Sequence, residues 1–203
     1  MASRIKKHIL FILLTFILGN LYAEDLSYKG MHQIEWEAHL QNKEISFNKN
    51  AVVSIDPITK RDSSYSYLSH AVFGYLPDWK YSSAPPYFQY DLLSHIALFD
   101  FTVSTNGNIS GYPSGWPNGW ASMMNTAHAN GVKLIMCVVE FDDDDIHALI
   151  NSPTASQNFY ENIETIINTY KLDGVNIDFE GPKTADRGAP MNSFMQGLSD
   201  YIK

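Results

Sequence analysis

The sequence predicts an α/β protein built on a parallel sheet, and three observations carry that expectation. From about residue 70 onward, short apolar runs alternate with stretches of helical spacing. The run 132–139 is apolar almost without interruption, as a strand covered on both faces requires. Turn signals separate the units: Pro77, Asn106–Gly107, Asn130–Gly131 and Ser152–Pro153. Strand–helix repeats of this kind build a parallel sheet, either open or closed as a barrel. Four strands cannot close an eight-stranded barrel, which usually takes about 250 residues. The chain therefore reads as a small open sheet or as the first half of something larger.

The elements follow in order. Arg4, Lys6 and Lys7 precede an apolar run over 9–18, followed by Gly19–Asn20 and the small residue Ala23. A basic start, a short apolar core and a small exit residue describe a secretory signal peptide over 1–23, with the mature chain starting near Glu24. The run is too short to cross a bilayer about 30 Å thick, so no membrane span is expected after cleavage, and the expected location is secreted or periplasmic. Residues 24–69 are polar and mixed, with an amphipathic helix expected over 27–40 around Met31, Ile34 and Leu40. This lead-in is expected to pack on the outside of the domain, with no part in function.

Residues 70–203 form the expected catalytic region. Strands are expected at 71–75, 95–103, 132–139 and 172–179, parallel and adjacent in chain order. Helices are expected at 120–129, from Ser152–Pro153 through Tyr170, and at 191–203. Asp142 to Asp145 invites calcium, whose ligands are carboxylate oxygens. Four adjacent acids lack the spaced pattern of a known calcium loop, and capping of a short helix at 146–150 accounts for them better. No metal and no cofactor are expected.

A formal net charge of −8 argues against nucleic acid and anionic membrane surfaces as partners. The single cysteine, Cys137, lies inside an apolar strand, so disulfides do not hold this fold. Aromatic residues make up 13% of the chain, which suits stacking on sugars and suits a core equally well.

The chemistry is concentrated at the fourth strand. Along 172–180 with period two, Val175, Ile177 and Phe179 share one face, and Asn176, Asp178 and Glu180 the other. Successive members of a face stand about 6.6 Å apart. Carboxylates on a covered face cost several kcal/mol unless paired or protonated. An ordinary exposed edge strand would mix Lys or Thr among its polar positions, and this row has none. Glu180 comes last, at the strand end where parallel folds place their sites. Its longer side chain makes it the natural general acid, with Asp178 as charged partner.

The segment Asp173-Gly174-Val175-Asn176-Ile177-Asp178-Phe179-Glu180 resembles the strand-four signature of glycoside hydrolase family 18, the chitinases and endo-N-acetylglucosaminidases. Asn176 stands where that family commonly has Asp. Val72-Phe73-Gly74-Tyr75-Leu76-Pro77 is similar to its first strand, and His95-Ile96-Ala97-Leu98-Phe99-Asp100-Phe101 to its second.

The resemblance implies the N-terminal half of a (β/α)8 barrel and a substrate-assisted retaining mechanism on β-1,4-linked N-acetylglucosamine polymers or N-glycan cores. It implies Glu180 as acid and base, Asp178 orienting the 2-acetamido group, and Asn176 hydrogen-bonding Asp178. Asp173 and Gly174 at the strand base would be structural. Tyr75 and Phe101 either wall the sugar site or pack in the core. Where the family often shows Ser-x-Gly-Gly, this chain has Glu140, a substrate contact or a loop carboxylate without a role. The rival readings are a non-catalytic carbohydrate-binding relative and an inactive fragment. If strands five to eight are absent, the isolated chain should associate through its last strand and cleave nothing.

Overall fold

The computed structural model describes residues 29–40, 58–59 and 68–203 of the 203-residue chain. The expected signal peptide and most of the lead-in lie outside the described residues. Five strands are present among the described residues: β1 (Phe73–Pro77), β2 (His95–Val103), β3 (Ile109–Gly111), β4 (Lys133–Glu140) and β5 (Gly174–Phe179). Five α-helices accompany them: α1 (Met31–His39), α2 (Ala121–Ala129), α3 (Asp143–Ile150), α4 (Pro153–Tyr170) and α5 (Ala189–Tyr201). The chain is thus mixed α/β around a parallel sheet ordered β1-β2-β4-β5.

β3 is an addition, pairing antiparallel with β2 after the Asn106–Gly107 turn. Three residues are too few to leave a periodic trace, so only the turn was readable. β1 runs two residues further than expected, through Pro77. Proline fits there because it closes an edge strand, where a missing N–H disrupts little.

Local chemistry sets the helix ends. Ser152 Oγ accepts from the Ala155 amide at 3.3 Å ahead of Pro153, capping α4. Asp142 Oδ1 accepts from the amides of Asp144 and Asp145 at 2.9 and 3.1 Å, capping α3. Gly131, at φ 74°, supplies the left-handed residue that turns the chain from α2 into β4.

Two apolar clusters flank the sheet. On the helix side, Leu76, Ile96, Leu98, Trp120, Phe159 and Ile163 are among the core residues. On the opposite face Ala97, Phe99, Cys137 and Val139 form a smaller cluster, covered by Trp36, Trp79 and Phe141. Cys137 is free and buried, and burial first of all pushes its thiol well above its ordinary range. No helix among the described residues is long and apolar enough to cross a membrane.

The two faces of β2 exchange part-way along. Phe99 pairs with Cys137, but Phe101 pairs with Val138, so Asp100 is an extra residue in the ladder. Such a bulge reverses which residues face each side beyond it. Ala97 and Phe99 lie in the smaller cluster, while Phe101 and Val103 lie in the helix-side core.

Candidate active site

Alternation on β5 brings the acidic residues to one end of the sheet. Val175, Ile177 and Phe179 pack on the helix-side core. Asn176 faces the smaller cluster, its amide donating to Cys137 Sγ at 3.4 Å. Asp178 lies level with Val139 on β4. Glu180 follows the last strand residue, and its amide donates to the Glu140 carbonyl at 3.1 Å.

The first helix lies across this end. His32 Nδ1 is 2.7 Å from Asp178 Oδ2. The Gln33 amide donates to Glu180 Oε2 at 3.0 Å. Trp36 Nε1 donates to Oδ2 of Asp100, a fully buried carboxylate. The His32 ring also sits 4.6 Å from Tyr75 and 5.6 Å from Phe99, centroid to centroid. Trp36 meets Phe141 edge-on at 5.5 Å, and His39 stacks on Trp79 at 4.2 Å. Gly30 is the N-cap of α1 and offers no side-chain cap. The Glu180 carboxylate fills that role, and it lies so close that a Cβ at Gly30 would overlap it.

Desolvation falls on Asp178. Its side chain is 14% exposed, and burial raises its proton affinity above the ordinary aspartate range, against the opposing pull of His32 and with some help from Glu180. Glu140 is also pushed up, by burial first, although its Oε1 accepts from the amides of Phe141 and Asp142 at 2.9 and 3.0 Å. Beside this end an open cleft of about 450 Å³ is lined by Gln33, Trp36, Thr102, Ser110, Glu140 and Phe141.

Two carboxylates at a strand end, one of them desolvated, can give and take a proton on a bound substrate. His32, Asp178 and Glu180 each offer a ligand atom within 4.8 Å of the others, and so are the half-buried trio that can hold a metal ion. Asp142, Asp143 and Asp144 form a second such trio, fully exposed.

Several expectations change. Phe101 does not line the site: it is buried in the helix-side core, edge-on to Trp116 at 5.0 Å. Of its two expected placements the core is the one observed, because the bulge at Asp100 turns it over. Asn176 bonds Cys137 rather than Asp178, whose partner is His32. Asp173 precedes β5 and accepts from the Leu134 amide at 2.9 Å, with His128 Nε2 3.1 Å away. Gly174 opens the strand, level with Ile135. Tyr75 is 41% exposed, lies against the His32 ring that pairs with Asp178, and is close enough to Asp178 for that carboxylate to act with burial in raising its phenol above the ordinary range.

The lead-in does not simply pack outside. Its α1 holds His32, Gln33 and Trp36 against the site, and sequence reasoning missed all three, since nothing local links residues 32 and 178. Asp100 was also missed, although a lone acid inside an apolar strand is a readable signal.

No family profile matches this chain. It is 27% identical over 115 residues to a Bacillus subtilis protein described as the sporulation-specific glycosylase YdhD, across 54% of this chain and 26% of that one. Its structure is similar to a chitinase from Bacteroides thetaiotaomicron, with a TM-score of 0.55 and 29% identity over 63% of this chain and 42% of the other. It also shares its fold with the spore cortex-lytic enzyme SleL of Bacillus cereus, with a TM-score of 0.53 at 19% identity, covering 71% of this chain and 33% of that one. The chain thus spans about a quarter of the curated relative it matches and less than half of each of these two structures.

Proposed function

We propose that this chain is the acid-bearing part of an exported glycoside hydrolase acting on β-1,4-linked N-acetylglucosamine. The observation that carries the reading is the delivery of Asp178 and Glu180 by β5 to one end of a parallel sheet, with Asp178 desolvated. Similarity to a chitinase and to a glycosylase supports the class of reaction. The four parallel strands are the N-terminal part of a barrel in this reading, β5 being an edge of the sheet among the described residues.

The mechanism in this reading is the one that the resemblance of the β5 segment to glycoside hydrolase family 18 implies. Asp178 accepts the N–H of the sugar's 2-acetamido group and turns its carbonyl oxygen toward the anomeric carbon. That oxygen attacks, the glycosidic bond breaks, and Glu180 gives its proton to the leaving oxygen. Water then opens the cyclic intermediate while Glu180 takes a proton back, so configuration is retained. Ordinary retaining enzymes use a second carboxylate as nucleophile instead. Tyr75 and Glu140 contact the sugar chain, and Asp173 and Gly174 hold the base of the strand.

Hydrolysis of a fluorogenic chitobioside by protein carrying this chain tests the reading. Glu180→Gln keeps the shape and removes the proton, so the rate should fall at least about 100-fold. An unchanged rate would show that another group is the acid. Oligosaccharide binding without hydrolysis in the wild type would favour a carbohydrate-binding relative.

A further inference from the structure

We infer that the partner of the Asp178–Glu180 surface, in the absence of substrate, is this chain's own α1, which occupies the site as an intramolecular stand-in for the ligand. The inference rests on the glycosidase reading above and adds a means of regulation to it.

Three contacts on one helix face meet three separate carboxylates. His32 meets Asp178 at 2.7 Å, the Gln33 amide meets Glu180 at 3.0 Å, and Trp36 meets Asp100. The first two engage the groups that the chemistry needs free. The His32 N–H takes the place of the acetamido N–H on Asp178. One oxygen of the Glu180 carboxyl group, Oε2, is taken up by the Gln33 backbone amide. The His32 ring lies against Tyr75 and Phe99, so it also fills the space beside the aromatic wall. Gly30 lets the backbone approach the Glu180 carboxylate closely, where any larger residue would collide with it.

The same helix is built to leave. None of its residues is buried. Nine residues are fewer than the roughly 12–15 that an isolated helix needs to be even marginally stable in water. Its helicity therefore depends on docking, and undocking should unfold it. A helix docked for about nine-tenths of the time weakens substrate binding about tenfold, because only the open fraction binds.

The test uses the full chain and the double variant His32→Ala/Trp36→Ala, with Glu35→Ala on the exposed side of α1 as control. Hydrogen exchange needs no substrate. Amides of α1 should be protected in wild type and Glu35→Ala, and at least about tenfold less protected in the double variant. Unprotected α1 amides in wild type would overturn the inference and leave the glycosidase reading standing. Chitohexaose binding, followed by calorimetry, gives the second readout. The double variant should bind about tenfold more tightly, and saturating chitohexaose should strip protection from α1 in wild type. Equal affinities, or α1 protection that survives saturation, would overturn the occlusion while supporting the carbohydrate site. Absence of binding by the double variant with α1 released would overturn the glycosidase reading, and the occlusion with it.

Discussion

β5 is flanked by a histidine–aspartate pair at each end, and the two pairs are made differently. At the base, His128 is fully buried on α2. Its Nε2 lies 3.1 Å from Asp173 and its Nδ1 2.6 Å from the Thr59 carbonyl. Asp173 also takes the Leu134 amide, so this pair ties a core helix to two neighbouring strands. At the top, His32 is 30% exposed and arrives on a helix none of whose own residues is fully buried. A pair whose histidine is fully buried on a core helix is architecture. A pair whose histidine comes on a short, unburied helix is a contact that another ligand can replace. The same residue types at opposite ends of one strand thus serve stability and chemistry respectively.

The largest expected effect separates the two ends by readout. Asp178→Asn should cut the hydrolytic rate per folded molecule by about 100-fold or more, with little change in unfolding midpoint. Asp173→Asn should lower the unfolding midpoint and leave the rate per folded molecule nearly unchanged. Loss of activity from Asp173→Asn at full folding would erase the distinction between base and top.

Stability gives the next contrast. His128→Ala removes a fully buried ring and one of the partners of Asp173, so urea unfolding should show a loss of about 2 kcal/mol or more. His32→Ala should cost under about 1 kcal/mol, because its pair is half-exposed and its helix carries no core. Equal costs would mean that α1 is part of the core after all.

The pH dependence of stability sharpens the upper pair. Asp178 is raised mainly by burial, so the folded chain holds its proton more tightly than the unfolded chain. Its contribution is present in full below the ordinary aspartate range and is lost as pH climbs through the raised value. Urea midpoints measured from about pH 3 to about pH 7 should therefore fall more in wild type than in Asp178→Asn. A parallel pair of curves would place the desolvation elsewhere.

The smallest expected effect concerns Asp142, which lies beside the site but serves α3. Asp142→Ala removes the cap and should cost about 1 kcal/mol, while Asp142→Asn keeps an acceptor and should cost little. Neither should change the hydrolytic rate.

The alternation on β5 and the caps of α3 and α4 were legible because each depends on residues close in the chain. A row of acids at period two can face only one side of a strand, and Ser152 or Asp142 bonds amides two or three residues away. The parallel order of β1, β2, β4 and β5 was legible for a related reason, since strand–helix repeats admit few connections. The bulge at Asp100 was not. One extra residue leaves the apolar character of β2 intact and changes only which neighbour each residue pairs with, so the sequence left the two readings of Phe101 open and the bulge decided for the core.

What the sequence determined by itself is the identity and facing of the carboxylates, because local backbone geometry settles those. What only the tertiary structure decided is their company. His32 meets Asp178 across 146 residues of chain and Trp36 meets Asp100 across 64. Contacts of that range depend on how the whole sheet presents its edge, and no pattern along the chain encodes them.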